Sequence, residues 1–270
     1  MTPREFYKEY STQKSCIQLL YEQYKSKISD CKSCKSKRVK WYENKAHWRC
    51  LDCKKKISLK SISFMRDSKI SFKYWVEVMY LLLETKKSFS ICEIQRLTSM
   101  KRYGTVYYMV QKIRVAIAEI NRSLKMKKKS LIFFDLHTSD APTNPPTYLQ
   151  ILYGKNDASN FDFIHLDLPG YLKFKCEKLN DQKLDEKNYR FKKVLSFKNL
   201  NDKRKTIESF PLQKKWAKCI GENLLKEIKG IYHSISLLHL QKVLDEYSFK
   251  YNYRHERKSK FIIFVEKLET

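Results

Sequence analysis

The chain has 270 residues, with 56 Lys and Arg against 29 Asp and Glu and a formal charge of +27. An excess of that size points to a polyanionic partner, and between nucleic acid and an anionic membrane surface it is nucleic acid that fits better. A hydrophobic fraction of 42% and an aromatic fraction of 14% exclude a disordered basic tail, which would lack the apolar groups that offset chain entropy. The longest apolar stretch, Tyr74 to Leu83, is broken by Glu77 and is too short to span a bilayer. The opening MTPREFYKEY carries no apolar run of the secretory kind. The expectation is a protein of a reducing compartment, the nucleus in a eukaryote and otherwise the cytoplasm with its nucleoid. Neither a membrane nor a small-molecule substrate is expected as a partner.

In chain order, residues 1–27 read as an N-terminal helical segment and residues 28–66 as a four-cysteine zinc ribbon. Cys31 and Cys34 form one pair, Cys50 and Cys53 another, and 15 residues separate Cys34 from Cys50. A two-residue gap lets both thiolates of a knuckle turn toward one ion, and the intervening residues can form a hairpin that brings up the second knuckle. Four protein ligands leave no open coordination position, so such a zinc is structural. Cys16, Cys92, Cys176 and Cys219 share no such spacing and read as core thiols, and His47 is surplus to the ligand set.

Residues 67–124 read as a helix-turn-helix region. Phe72, Trp75, Val76, Met79, Leu82 and Leu83 recur at helical spacing between Ser71 and Lys86, a shorter helix fits Ser90 to Leu97, and a third spans about Thr105 to Leu124. Val106, Val110, Ile113, Ile117 and Ile120 form the buried stripe of the third helix, with Lys112 and Arg114 placed outside it. Such a unit offers its third helix to a major groove, although a plain three-helix bundle has the same periodicity. Lys101, Arg102, Lys112 and Arg114 are the candidate contacts to double-stranded DNA.

KMKKKS, residues 125–130, reads as an exposed basic linker. Beyond it, residues 131–270 change texture: LIFFD at 131–135, TYLQILYG at 147–154 and FDFIHLD at 161–167 read as three strands. Leu237, Leu240, Leu244, Tyr247 and Tyr251 then mark an amphipathic helix behind a candidate cap, Ser236. Strands followed by helices indicate an α+β or α/β domain, and the whole chain an α+β multidomain protein.

The order CKSC, WRCLDC, ISLKSISFMRDSKISFKYW, a helix-turn-helix, then KTIESF and GIYHSISLLHLQKVLDEYSFKYNYR resembles the zinc-ribbon insertion-sequence transposases of the Merlin superfamily. The similarity covers about residues 28–124 and 200–254. It implies an RNase-H-like α/β core with an acidic triad, two divalent ions (Mg²⁺ or Mn²⁺) and strand cleavage and transfer on DNA by an oligomer. Two such ions stabilise the attacking and leaving oxygens of an in-line displacement, which is why hard carboxylate ligands must converge.

On the resemblance, Asp135 matches the first aspartate and Glu208 the end of the third motif, with Asp167 the candidate for the middle ligand. Asp167 follows Asp135 by only 32 positions, where the family has two further strands and a helix. FDFIHLD is then either a shortened route to the second ligand or the third strand of the sheet, in which case the aspartate strand is lost. The family's acid after the first aspartate is Leu136 here. Lys205 replaces its asparagine before the glutamate, and Pro211 its aromatic. The core therefore reads as shortened, and the chain as a transposase-derived DNA-binding protein with reduced or lost catalysis. The alternatives are an active transposase using Asp135, Asp167 and Glu208, and a non-enzymatic zinc-ribbon protein associated with nucleic acid or transcription.

Overall fold

Thr2 caps the first helix of a computed structural model that describes residues 1–85, 88–123, 129–136, 147–154, 163–167, 219–224, 226–232, 235 and 237–268. The chain combines helices with small antiparallel sheets and divides into two compact units, residues 1–120 with 256–270 and residues 121–255. None of the described helices is long and apolar enough to cross a membrane.

In the first unit, helix α1 (Pro3–Glu9) starts at Thr2, whose hydroxyl accepts from the Glu5 amide while the Glu5 carboxylate accepts from the Thr2 amide at 2.7 Å. This reciprocal pairing satisfies two backbone donors that a helix start leaves open. Thr12 caps α2 (Gln13–Tyr24), which buries Cys16, Ile17, Leu20 and Tyr24. Strands β1 (Val39–Tyr42), β2 (His47–Cys50) and β3 (Lys56–Ser58) form an antiparallel meander in which Val39 pairs with Cys50 and Trp41 with Trp48. Tyr21 on α2 stacks on Trp41 at 4.6 Å and lies 5.8 Å from Trp48, so an aromatic trio fixes the sheet on the helix.

Helix α3 (Phe72–Glu84), capped by Ser71, is the centre of this unit. It buries the predicted stripe and also Val78, Tyr80 and Leu81, because α2, α4 (Ile91–Leu97) and the last helix, which follows Arg254 in sequence, pack around it. Helix α5 (Tyr103–Ser123) begins two residues before the predicted start.

The second unit contains strands β4 (Lys129–Leu136), β5 (Thr147–Gly154) and β6 (Phe163–Asp167), antiparallel in that order. Helix α6 (Leu237–Asn252) covers β6. Its Ser248 hydroxyl accepts from the Leu166 amide at 3.1 Å, and its Gln241 amide donates to the Leu166 carbonyl at 3.0 Å. Side chains of a helix thereby occupy backbone groups that an edge strand would leave to water or to another chain. A Glu246–Lys250 ion pair, 2.9 Å long, is buried on the same helix.

The chain then returns to the first unit. Helix α7 (Lys260–Glu266) buries Phe261, Ile263, Phe264 and Val265, and Phe261 meets Phe6 edge-on at 5.5 Å. Residues 256–270 thus belong with the N-terminal part, whereas the sequence reading carries the core to residue 270. FIIFV holds no local signal for that choice, since its partners lie some 180 residues or more earlier in the chain.

Candidate metal centre and nucleic-acid interface

The sheet of the first unit closes a cluster of four sulfurs. Cys50 ends β2 opposite Val39, and the backbone turns tightly at each knuckle: the Lys35 amide donates to the Cys31 carbonyl at 2.7 Å and the Cys50 amide to the Lys55 carbonyl at 3.0 Å. Leu51 ties the second knuckle to the first through a 2.8 Å bond to the Arg38 carbonyl. The Sγ atoms of Cys31, Cys34, Cys50 and Cys53 all lie within 4.8 Å of one another, with 3.5 Å between Cys31 and Cys53 and between Cys34 and Cys50. A zinc with Zn–S bonds near 2.3 Å holds its sulfurs about 3.8 Å apart, so the cluster has the dimensions of a four-thiolate site. These four cysteines could hold a metal ion.

Backbone amides and the neighbouring sulfurs shift the thiols of Cys31, Cys50 and Cys53 in different directions. Backbone amides of Cys34 and Ser33 pull the Cys31 thiol down to about 6, and the Cys53 amide lowers Cys50. For Cys53 the Lys55 amide favours the thiolate, but desolvation and the neighbouring sulfurs together outweigh it and push the thiol up to about 12. Four sulfurs this close cannot all be anionic without a cation to hold them. Both knuckles turn through the left-handed region at the residue after the second cysteine, Lys35 at φ 60° and Lys54 at φ 62°. Glycine reaches that region freely, and another residue costs roughly 1–2 kcal/mol there.

The other candidates are placed as follows. His47 is buried on β2, 5.5 Å from Tyr42 in a stack and with Nδ1 3.3 Å from the Lys45 carbonyl, apart from the sulfur cluster. Cys16 is a core thiol, pushed up to about 11 by burial. Cys92 and Cys219 are exposed rather than buried, and Cys176 lies outside the described residues. Cys92 is on α4, a short helix of which Ile94 alone is buried.

Helices α3, α4 and α5 are joined by short connections, and the α4–α5 turn is firmly built. Thr98 returns a hydroxyl bond to Ile94 at 2.8 Å, Ser99 adopts φ 53°, and the Gln95 side-chain amide donates to the carbonyls of Met100 and Lys101. Lys101 and Arg102 stand exposed just before α5. Lys112 is half-buried, with its ammonium 5.0 Å from the Tyr108 ring and bonded to the Arg66 carbonyl. Arg114 is a correction: it is 2% exposed and unavailable to an external partner. The narrow stripe predicted for α5 is too narrow, because Ile113, Arg114, Ala116, Ile117 and Ala118 are all buried and little of the circumference stays free. The exposed part of α5 also includes Tyr103 and Tyr108, which periodicity did not single out.

Of the three carboxylates, Asp135 pairs with Tyr148 and Asp167 with Gln150 in the β4–β5–β6 register, and Glu208 lies outside the described residues. β6 is the antiparallel third strand of its sheet. No family model, curated protein or solved structure matches the chain.

Proposed function

We propose that the chain is a zinc-stabilised, DNA-binding protein of transposase descent in which strand cleavage is reduced or lost. The observation that carries the reading is a four-cysteine cluster in the same unit as a three-helix segment whose last helix starts beside exposed Lys101 and Arg102. Soft thiolates in a set of four favour zinc, and a filled shell gives that ion a folding role. The net charge of +27 supplies attraction to phosphate. Cations ahead of a helix that follows a tight turn suit backbone contacts flanking a groove-reading helix.

The third-strand position of β6 supports lost cleavage, since it leaves Asp167 off a separate fourth strand. One observation favours the active alternative: Tyr148 and Gln150 are two residues apart on β5, so Asp135 and Asp167 occupy register positions of equal parity on the flanking strands. Incubation with a pool of short duplex DNAs, inverted-repeat sequences among them, in Mg²⁺ or Mn²⁺ separates the two. Binding that prefers a short repeated sequence, without nicking, is expected. Metal-dependent nicking that Asp135→Asn abolishes would restore an active transposase, and binding without any sequence preference would favour a general zinc-ribbon accessory protein.

A further inference from the structure

The ribbon carries an unusual charge distribution. Residues 31–60 hold eleven Lys and Arg and only two acids, Glu43 and Asp52. Asp52 is committed to Arg38 at 3.0 Å and to the Ser36 hydroxyl. Lys32, Lys35, Lys37, Lys54, Lys55 and Lys56 are all exposed and flank the two knuckles. Lys35 and Lys54 directly follow Cys34 and Cys53, whose sulfurs lie within 4.8 Å of each other, so these two cations border one metal centre. Both occupy left-handed backbone positions at which glycine would be the unstrained residue.

We propose that the ribbon's knuckle face is a docking surface for the phosphate backbone of duplex DNA, with Lys35 and Lys54 as its paired central contacts. The inference rests on the DNA-binding reading and adds a second footprint to the one at Lys101 and Arg102. Exposed ammonium groups beside a compact turn suit phosphate oxygens, and the two positions offer them on either side of one sulfur cluster. Lys54 now donates to the Leu51 carbonyl at 2.5 Å, a bond on the surface that a phosphate can replace. The competing role for these lysines is to balance the formal double negative charge of a zinc with four thiolates.

The two roles give opposite results in one set of variants, each made in the full, zinc-loaded chain and titrated with one short duplex at several salt concentrations. Lys35→Gly with Lys54→Gly relieves the backbone and removes both charges. It should keep its zinc, unfold at or above the parent's temperature, and bind the duplex at least tenfold more weakly, with a salt slope lower by about 1.8. The double alanine variant should lose affinity equally without the gain in stability, and the double arginine variant should bind like the parent. A glycine variant with the parent's affinity and slope overturns the inference, as does loss of zinc from the glycine or alanine variant. A parent that binds no duplex at all overturns the DNA-binding reading as well, so the two failures are distinguishable.

Discussion

Cys31 is fully buried and Cys53 exposed, yet both supply sulfur to the same cluster, so the site is half in the core and half at the surface. If the cluster holds a structural metal as proposed, Cys31→Ser or Cys53→Ser should release it and unfold the ribbon, because in small four-thiolate modules binding and folding are one process. Elemental analysis together with the near-ultraviolet signal of Trp41 and Trp48 reads both; a folded, metal-free variant contradicts the assignment. Glu77 offers a pH test. Burial raises its carboxyl above the ordinary range, while the bond from the Tyr7 hydroxyl, 3.0 Å long, pulls it part of the way back. A carboxyl that keeps its proton better when folded favours the fold at low pH. That contribution is lost as pH rises from the ordinary carboxylate value through the raised one. Glu77→Gln should flatten this decline in a plot of unfolding temperature against pH; an unchanged slope would mean that Glu77 does not cause it.

At the level of elements, α1 is held by Phe6, which stacks on Tyr80 at 3.9 Å and meets Phe261 of α7. Phe6→Ala should cost about 3–5 kcal/mol, measured by denaturant unfolding, because the ring is completely enclosed and its removal leaves a cavity. Helix α5 separates two kinds of cation. Lys101→Ala or Arg102→Ala should weaken duplex binding with little change in stability, whereas Arg114→Ala should destabilise the fold by truncating a buried side chain. Binding titrations and thermal unfolding on the same three proteins check the contrast.

What the sequence reveals also differs by element. Ser71 and Ser90 stand at the helix starts read from the sequence, and the structure begins helices there. Short apolar runs mark the strands, but β4 starts at Lys129, inside the stretch read as a basic linker, because the backbone pairing with β5 runs past the apolar residues. The cysteine spacing gives the whole ligand cluster, because two tight knuckles leave the sulfurs little freedom. Arg114 escapes because burial of α5 depends on neighbours from other parts of the chain, and a period of 3.6 residues says nothing about how wide the covered face is. The left-handed lysines escape because glycine, the usual sign of such a turn, is absent from both knuckles.

For the whole molecule, the proposed function couples a charge excess to metal binding: on that reading the ribbon presents its cations only while a metal holds the four sulfurs together. Removing the metal with a chelator should therefore weaken duplex binding along with the structure of residues 28–66, and restoring zinc should recover both. The most direct measurement is the equilibrium affinity of the zinc-loaded full chain for duplex DNA as a function of salt. A footprint of about six phosphates predicts a steep linear log–log fall, on the order of a thousandfold between about 50 and 200 mM salt. Affinity that stays flat across that range, or no binding at its low end, would contradict the account.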